Sequence, residues 1–436
     1  MTSTTLRELV GRFERIRVLV VGDPILDESV TGDCTRLSPE APIPVLRVRA
    51  IRAVPGGAAN TAANIAALGG TALLAGVVGR DEAGRRLRQL VSEHGVECLL
   101  VDDDRPSSRK VRALGGQQQL LRLDYEDDGR VAAAAAGATL DRIAERLPDV
   151  DIVVVSDYAK GLIDPAFSRR LLALARAAGR PVIVDPRPQN AAAYAGFDYL
   201  TPNWREAQAL LGEPERAPDE QAVTDIGRRV AERFDANVLL TLGAGGLRFF
   251  GRDGLQLLDE PARAREVFDV SGAGDTVVAT FALALASGAG LQDALRLANL
   301  AAGIVVAKLG TATVSRRELL DAPNGGGRLA DAAALAMAVR SAREAGRRIA
   351  LVTGRFLAFG VETLERLQAV RDQADVLIVA LQDDEPDTAG RARMLLALRD
   401  VDLVHISTDP AALVGEVAPD LHVELGASEA AGRARS

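Results

Sequence analysis

Four strand-length runs of uninterrupted aliphatic residues recur along the first 245 residues, and helical patterns separate them. The runs are Arg17-Val-Leu-Val-Val-Gly22, Asp151-Ile-Val-Val-Val-Ser156, Pro181-Val-Ile-Val-Asp185 and Val238-Leu-Leu-Thr-Leu242. A strand with one face in water alternates apolar and polar residues, whereas a run that is apolar throughout has to be covered on both faces. With helices such as that from about Pro165 to Ala178 between them, the runs predict an α/β fold with a doubly wound, mostly parallel sheet. Ligands of such sheets bind beyond the carboxyl ends of the strands. Polar residues collect there: Asp23 and Asp27 after the first run, Asp157 after Ser156, then Asp185 and Asn203.

Segments around Val45–Arg49, Lys110–Leu114 and Gln119–Asp124 alternate instead, which predicts half-buried antiparallel strands forming a small lid over the site. The stretch Asp321-Ala-Pro-Asn-Gly-Gly-Gly327 carries turn and linker chemistry. It divides an expected first domain, residues 1–322, from a smaller Rossmann-like α/β domain at 329–425, with 323–328 as linker. In the second domain the pattern reads helix Leu329–Ala345, strand Arg348–Thr353, helix Val361–Gln373, strand Asp375–Leu381 and strand Val401–Ile406. Residues 426–436 are small and polar and are expected to be a disordered tail.

A net charge of −8 with no basic stretch argues against nucleic acid as a partner. No signal peptide is visible, and the apolar uncharged run Thr276 to Gln292 is short and interrupted by glycine, so it reads as a buried helix rather than a membrane span. Cys34 and Cys98 lack metal-type spacing and are expected to be reduced thiols of a cytoplasmic protein. Only Lys110, Lys160 and Lys308 are lysine among 52 basic residues, so these are positions where a compact ammonium stands against a strong arginine bias.

The segment Gly272-Ala273-Gly274-Asp275 opens a long apolar helix. A glycine-rich turn at a helix start presents unpaired backbone N–H groups and partial positive charge, which suits phosphate or the charge that grows on it during transfer. A carboxylate at its end can take the proton of an attacking hydroxyl. The alternative is a glycine-capped turn with a capping aspartate. Gly56 and Gly57 ahead of Asn60 allow a ligand close to the backbone, or form an ordinary strand-to-helix turn. Asp27 either grips hydroxyls or caps a turn. Asn203 and Glu206, three apart at a helix start, share one face where a Mg²⁺–water cluster could sit; the same spacing makes a capping box. Thr241, Gly243 and Gly246 end a strand in flexible backbone.

Taken in order, these motifs resemble the ribokinase-like (PfkB-type) sugar kinases over residues 15–320. The resemblance implies that Asp275 is the catalytic base and Gly272, Ala273 and Gly274 the anion hole. It implies that Asn203 and Glu206 organise Mg²⁺ around the phosphates of ATP, that Thr241, Gly243 and Gly246 lie along the nucleotide, and that Asn299 lies near the adenine. Leu37–Val45, Gln118–Asp124, Ser156-Asp157-Tyr158-Ala159-Lys160-Gly161 and Gly310–Val314 are similar to the branch that phosphorylates D-glycero-β-D-manno-heptose 7-phosphate at the anomeric hydroxyl, on the way to ADP-heptose and surface glycans. Arg187 departs from that branch, which more often has lysine there. A phosphorylated substrate needs cations away from the reacting hydroxyl, and Lys110, Arg112 and Arg122 are the candidates; Arg122 could instead pair with Asp124 or Glu126. Asp27, Gly56, Gly57 and Asn60 would meet the sugar. The resemblance further implies a homodimer and leaves room for a monovalent cation. Competing functions are a kinase for another sugar or sugar phosphate and a non-catalytic sugar or nucleotide sensor. A dehydrogenase is disfavoured, because Gly22-Asp23-Pro24 stands where a dinucleotide turn would need further glycines.

The second domain resembles the adenylyltransferases fused to such kinases, whose His-x-Gly-His motif follows the first strand. Here that stretch is Thr353-Gly-Arg-Phe-Leu-Ala-Phe-Gly-Val-Glu362, without histidine, and no lysine follows Lys308. Arg391 and Arg393 remain, read as helix-surface residues. The expectation is a retained fold without transferase chemistry.

Overall fold

The computed structural model describes residues 6–425 apart from positions 117, 128, 263–268, 309, 311, 323–328, 331, 345, 358, 383–386 and 399. The expected linker and tail lie outside the described residues. Contacts divide the chain into two compact units, Met1–Ala322 and Pro323–Ser436.

In the first unit each aliphatic run becomes a buried strand. The sheet has ten strands. Its parallel centre runs Asn237–Thr241, Tyr199–Leu200, Val182–Asp185, Ile152–Ser156, Arg17–Gly22 and Thr71–Gly79 in spatial order. Glu97–Cys98 and Val101–Asp103 both pair with Thr71–Gly79, and an antiparallel hairpin, Leu247–Phe250 and Gln256–Glu260, closes the other edge. Two apolar clusters cover the faces. One includes Val18, Val20, Leu74, Ile152 and Val154 under the helices Ala58–Ala67 and Ala273–Ala286; the other includes Leu19, Val21, Val153, Val155 and Val184 under Pro165–Ala177 and Glu220–Phe234. Alternate residues of each run feed opposite clusters, which is why the runs show no polar alternation.

A second, four-stranded sheet is built from Pro44–Gly57, Pro24–Leu37, Arg109–Gly115 and Gln118–Tyr125, in that order. It corrects the expected lid in two ways. Pro24–Leu37 is an additional long strand, and its pairing with Arg109–Gly115 is parallel. The strand Pro44–Gly57, a helix, the core strand Thr71–Gly79, a further helix and two short strands separate those two partners in sequence, so the chain returns in the same direction rather than through a hairpin. Cross-strand register sorts the faces. One row holds Val54, Asp27, Lys110 and Asp124, and the next on the same side holds Arg52, Ser29, Arg112 and Arg122. The opposite face carries Ile51, Val30, Ala113 and Leu121 in one row.

The second unit is a five-stranded parallel sheet ordered Leu329–Ala330, Leu403–Ser407, Val376–Gln382, Ile349–Gly354 and Leu421–Leu425. The expected helix at 329–345 begins instead at Ala332, after the short strand, and ends at Glu344. Helices Thr388–Ala397 and Pro410–Val417 and the strand Leu421–Leu425 add to the expected elements. Leu421-His-Val-Glu-Leu425 alternates because it is the edge strand and keeps a wet face. No helix among the described residues is long and apolar enough to cross a membrane.

Candidate active site

The register of three core strands sets Gly22, Ser156 and Asp185 side by side at their carboxyl ends. The loops that follow carry Asp23, Asp157–Tyr158 and Arg187 to one place. Gly272, with φ +80°, is the N-cap of the helix Ala273–Ala286 that faces them. That left-handed conformation favours glycine and turns the chain into the helix so that Asp275 occupies its first turn.

Asp275 is buried, 5% exposed, and its carboxylate is held by three side chains from elsewhere in the chain. Asn60 Nδ2 donates to Oδ2 at 2.6 Å and Thr61 Oγ1 to Oδ1 at 2.9 Å. The Tyr158 hydroxyl lies 3.1 Å from Oδ1. Burial pushes the Asp275 carboxyl above the ordinary aspartate range, while donors Asn60, Thr61 and Tyr158 and the charge of Arg187 act to bring it back. Asn64 secures the frame: it donates to the Asn60 carbonyl at 3.0 Å and accepts from Thr276 Oγ1 at 3.0 Å. Asn60 and Thr61 stand in the first turn of the helix Ala58–Ala67, whose N-cap is Gly57 at φ +56°. A Cβ on Gly57 would come within 2.5 Å of the Asp23 carbonyl, so the strand-to-helix turn requires the glycine. Gly56 stands against the Asp27 carboxylate.

The turn's donors divide. Gly274 and Asp275 precede the Thr276 N–H to Gly272 carbonyl bond and so have no partner inside the helix. Ala273 N–H is directed to the Val270 carbonyl at 3.2 Å, which removes it from the expected anion hole in this state.

Asn203 and Glu206 form the capping box that their spacing allowed: Asn203 Oδ1 accepts from Glu206 N at 2.9 Å, and Glu206 Oε2 accepts from Asn203 N at 3.0 Å. The other Glu206 oxygen is ion-paired with Arg187. Among the described residues no three His, Cys, Asp or Glu side chains are grouped to hold a metal. Asp185 is half-buried, and its carboxyl is held well above the usual range, by desolvation first and by the charge of Glu206 second; burial also raises Glu206. Asn203 is bridged to Thr241, and register carries the line on through Leu247, just after Gly246, to Glu260. Asn299 Nδ2 donates to the next carbonyl, that of Pro261, at 2.6 Å. Asn203, Thr241, Gly246 and Asn299 therefore line one sector, with Gly243 (φ +57°) and Gly246 (φ +83°) bracketing its turn.

On the polar face of the lid, Arg112 Nη1 contacts Asp27 Oδ1 at 3.0 Å, and Lys110 Nζ lies 5.7 Å from the centroid of the Tyr158 ring. Burial lowers the Lys110 pKa, against the charges of Asp27, Glu126 and Asp124. Arg122 makes a two-pronged pair with Asp124, both contacts 2.9 Å, directly across from Arg112. Its alternative role as a salt-bridge partner is thus realised, within reach of the same cluster.

Tyr158, Thr61 and Arg187 were missing from the residues marked as site candidates on sequence. Thr61 adjoins Asn60, and Tyr158 sits inside the Ser156–Gly161 motif, so both had a local signal; Arg187 had only its departure from lysine.

In the second unit, Thr353 Oγ1 lies 3.1 Å from His422 Nε2 across the edge strand. A histidine absent from the 353–362 stretch is thus supplied to its start by strand pairing. Arg391, expected at the surface, is 5% exposed, donating to the Arg355 carbonyl and to Thr388 Oγ1. The guanidinium is drawn in by that carbonyl at the strand end; the Arg393 side chain lies outside the described residues. Phe356, at φ +50°, is buried 6.3 Å from the Phe359 ring.

A family model described as pfkB family carbohydrate kinase matches residues 22–318. The chain is 42% identical over 437 residues to the Bifunctional protein HldE of Alcanivorax borkumensis, covering 96% of this chain and 90% of that protein. It is 40% identical to the protein of the same name from Edwardsiella ictaluri, over 95% of this chain and 89% of that one. Among solved structures, Phosphofructokinase-2 from Escherichia coli in complex with potassium is similar with a TM-score of 0.58 at 21% identity, over 70% of this chain and 98% of that chain. Arabidopsis thaliana ribokinase complexed with ribose and ATP gives 0.55 at 21%, over 70% and 97%. At these identities the solved structures establish the fold.

Proposed function

The chain belongs to the pfkB family of carbohydrate kinases, and from that premise we propose that it transfers the γ-phosphoryl group of ATP to the anomeric hydroxyl of D-glycero-β-D-manno-heptose 7-phosphate. The observation that carries the reading is the buried Asp275 carboxylate, fixed by Asn60, Thr61 and Tyr158 at the start of the signature helix and bordered by the cationic lid face.

In this reading Asp275 accepts the proton of the attacking hydroxyl, and the N–H groups of Gly274 and Asp275 face charge developing on the phosphoryl oxygens. Asn60 and Asp27 hold sugar hydroxyls; Lys110, Arg112 and Arg122 hold the distant phosphate. The Asn203, Thr241, Gly246 and Asn299 sector receives the nucleotide. Mg²⁺ suits the oxygen donors Asn203 and Glu206, with Asp185 beside them, because the charge of Glu206 adds to burial in holding the Asp185 carboxyl above its usual range, the mark of negative charge gathered there. With both Glu206 oxygens engaged, these residues would hold the ion through water, and it would supply charge neutralisation on the phosphates. K⁺ belongs in the assay as the monovalent cation. A cytoplasmic homodimer is part of the proposal, supported by exposed Ile51, Leu121, Leu123 and Tyr125 on the lid's apolar face.

The relatives' name is bifunctional; we assign only the kinase activity to this chain. The assay is ADP release over heptose and hexose phosphates with Mg²⁺. Turnover confined to a hexose phosphate would replace the substrate, and none on any sugar phosphate would remove the reading.

A further inference from the structure

We infer that Arg187 is a further catalytic residue: its guanidinium contacts the phosphoryl group in transit, and its ion pair with Glu206 is a resting position. The inference builds on the kinase reading and adds a residue to it.

The argument is one of place. Arg187 follows the strand Val182–Asp185 by two residues, so its root is fixed at the carboxyl edge of the sheet. Nη1 is paired with Glu206, in the capping box of the nucleotide sector. Its Cζ lies 4.6 Å from the centroid of the Tyr158 ring, and the hydroxyl of that ring is on Asp275. One side chain therefore spans the interval between the base that receives the acceptor's proton and the sector that receives the donor. A phosphoryl group moving from one to the other has to cross that interval.

Charge points the same way. The guanidinium is ion-paired with Glu206 and lies beside the ring whose hydroxyl is on Asp275, so a carboxylate stands toward each end of its span. Glu206 gains a second cation to face when nucleotide and Mg²⁺ are bound, and Arg187 can then exchange a carboxylate oxygen for a phosphoryl oxygen. A guanidinium carries five donors in a rigid fork, enough to keep one carboxylate contact while making another. In the step itself the acceptor oxygen bonds to the γ-phosphorus as the bond to the β,γ-bridging oxygen breaks. The hydroxyl proton goes to Asp275, and the bridging electrons leave with ADP. Arg187 forms no covalent bond; it neutralises charge on the equatorial oxygens.

The test compares wild type, Arg187→Gln, Arg187→Ala, and Asp275→Asn as a control on the kinase reading. Turnover is measured with heptose 7-phosphate, ATP and Mg²⁺. Calorimetry measures binding of MgADP alone, and of MgADP with aluminium fluoride and the sugar phosphate as a mimic of the group in transit. We expect Arg187→Gln to lower kcat about 10²–10³-fold and to weaken the mimic by a similar factor, with MgADP affinity nearly unchanged. Millimolar guanidinium should restore part of the turnover of Arg187→Ala, which also decides the matter should the glutamine variant fold poorly. Wild-type kcat in Arg187→Gln, equal losses for MgADP and mimic, or no guanidinium rescue in a folded alanine variant would overturn the assignment. An inactive wild type overturns the kinase reading with it, whereas an active wild type, an inactive Asp275→Asn and an active Arg187→Gln overturn this inference alone.

Discussion

The Tyr158 hydroxyl stands 3.1 Å from one carboxylate oxygen of Asp275 and 3.4 Å from the other, although 117 residues separate them. It is a third donor to a group already bonded to Asn60 and Thr61. Donation to the charged form lowers a carboxyl pKa, so Tyr158 works against the burial that raises Asp275.

Tyr158→Phe removes that donor while Asn60, Thr61 and the charges of Arg187, Lys110, Asp185 and Glu206 stay in place. Asp275 then holds its proton to higher pH. The base has to be ionised to act, so the acid limb of the kcat/KM profile should move to higher pH. A limb that stays put, measured on a variant of wild-type thermal stability, would show that the hydroxyl does not tune the carboxylate.

Asp275→Asn keeps the shape and loses the proton acceptor, and Asn60 can turn its own amide to meet the new one. The expected result is a fall in kcat of roughly two to four orders of magnitude with ATP affinity nearly unchanged. Turnover close to wild type would remove the assignment of the base.

Lys110→Ala should raise KM for the sugar phosphate about ten- to hundredfold, the equivalent of a charge-assisted contact of about 1.5–3 kcal/mol, and leave KM for ATP nearly alone. Lys110 faces Tyr158 and the Asp27 row of the lid rather than the Asn203–Asn299 sector. Equal effects on both substrates would reduce it to a support of the lid.

Asp23 provides a stability test. Its Oδ2 accepts from Tyr158 N at 2.9 Å and Lys160 N at 3.1 Å, yet burial, with the charge of Asp157, pushes its pKa up to about 6. The native state therefore binds this proton more tightly than the unfolded chain. The stability contributed by this proton is lost as the pH rises from about 4 through about 6, and none of that contribution remains above. Asp23→Asn keeps an oxygen for both N–H groups without the charge. It should raise the melting temperature at pH 8, by at most about 3 kcal/mol in stability, with the gain shrinking toward pH 5. A gain independent of pH would mean that ionisation of Asp23 is not its source.

The second unit should perform no nucleotidyl transfer. Heptose 1-phosphate, ATP and Mg²⁺ should yield neither ADP-heptose nor pyrophosphate. His422 and Arg391 do reach the start of the Thr353–Glu362 stretch, but they are turned to Thr353, to the Arg355 carbonyl and to Thr388. Clear product formation would make the protein bifunctional after all.

What the sequence determined by itself was local. The aliphatic runs announced a sheet covered on both faces because burial of consecutive residues is written in consecutive residues. The turn Gly272–Asp275 and the spacing of Asn203 and Glu206 announced two helix starts, since caps depend on positions three apart. Tertiary structure decided which of those ends would meet. The partners of Asp275 come from positions 60, 61 and 158, and only the strand register that aligns Gly22, Ser156 and Asp185 brings their loops to one helix. The same holds for Arg187 between Glu206 and Tyr158, for the parallel pairing inside the lid, and for Arg391 drawn in beneath Arg355. Periodicity tells each residue which face it occupies; pairing between distant strands, which leaves no local pattern, tells it whom it will face.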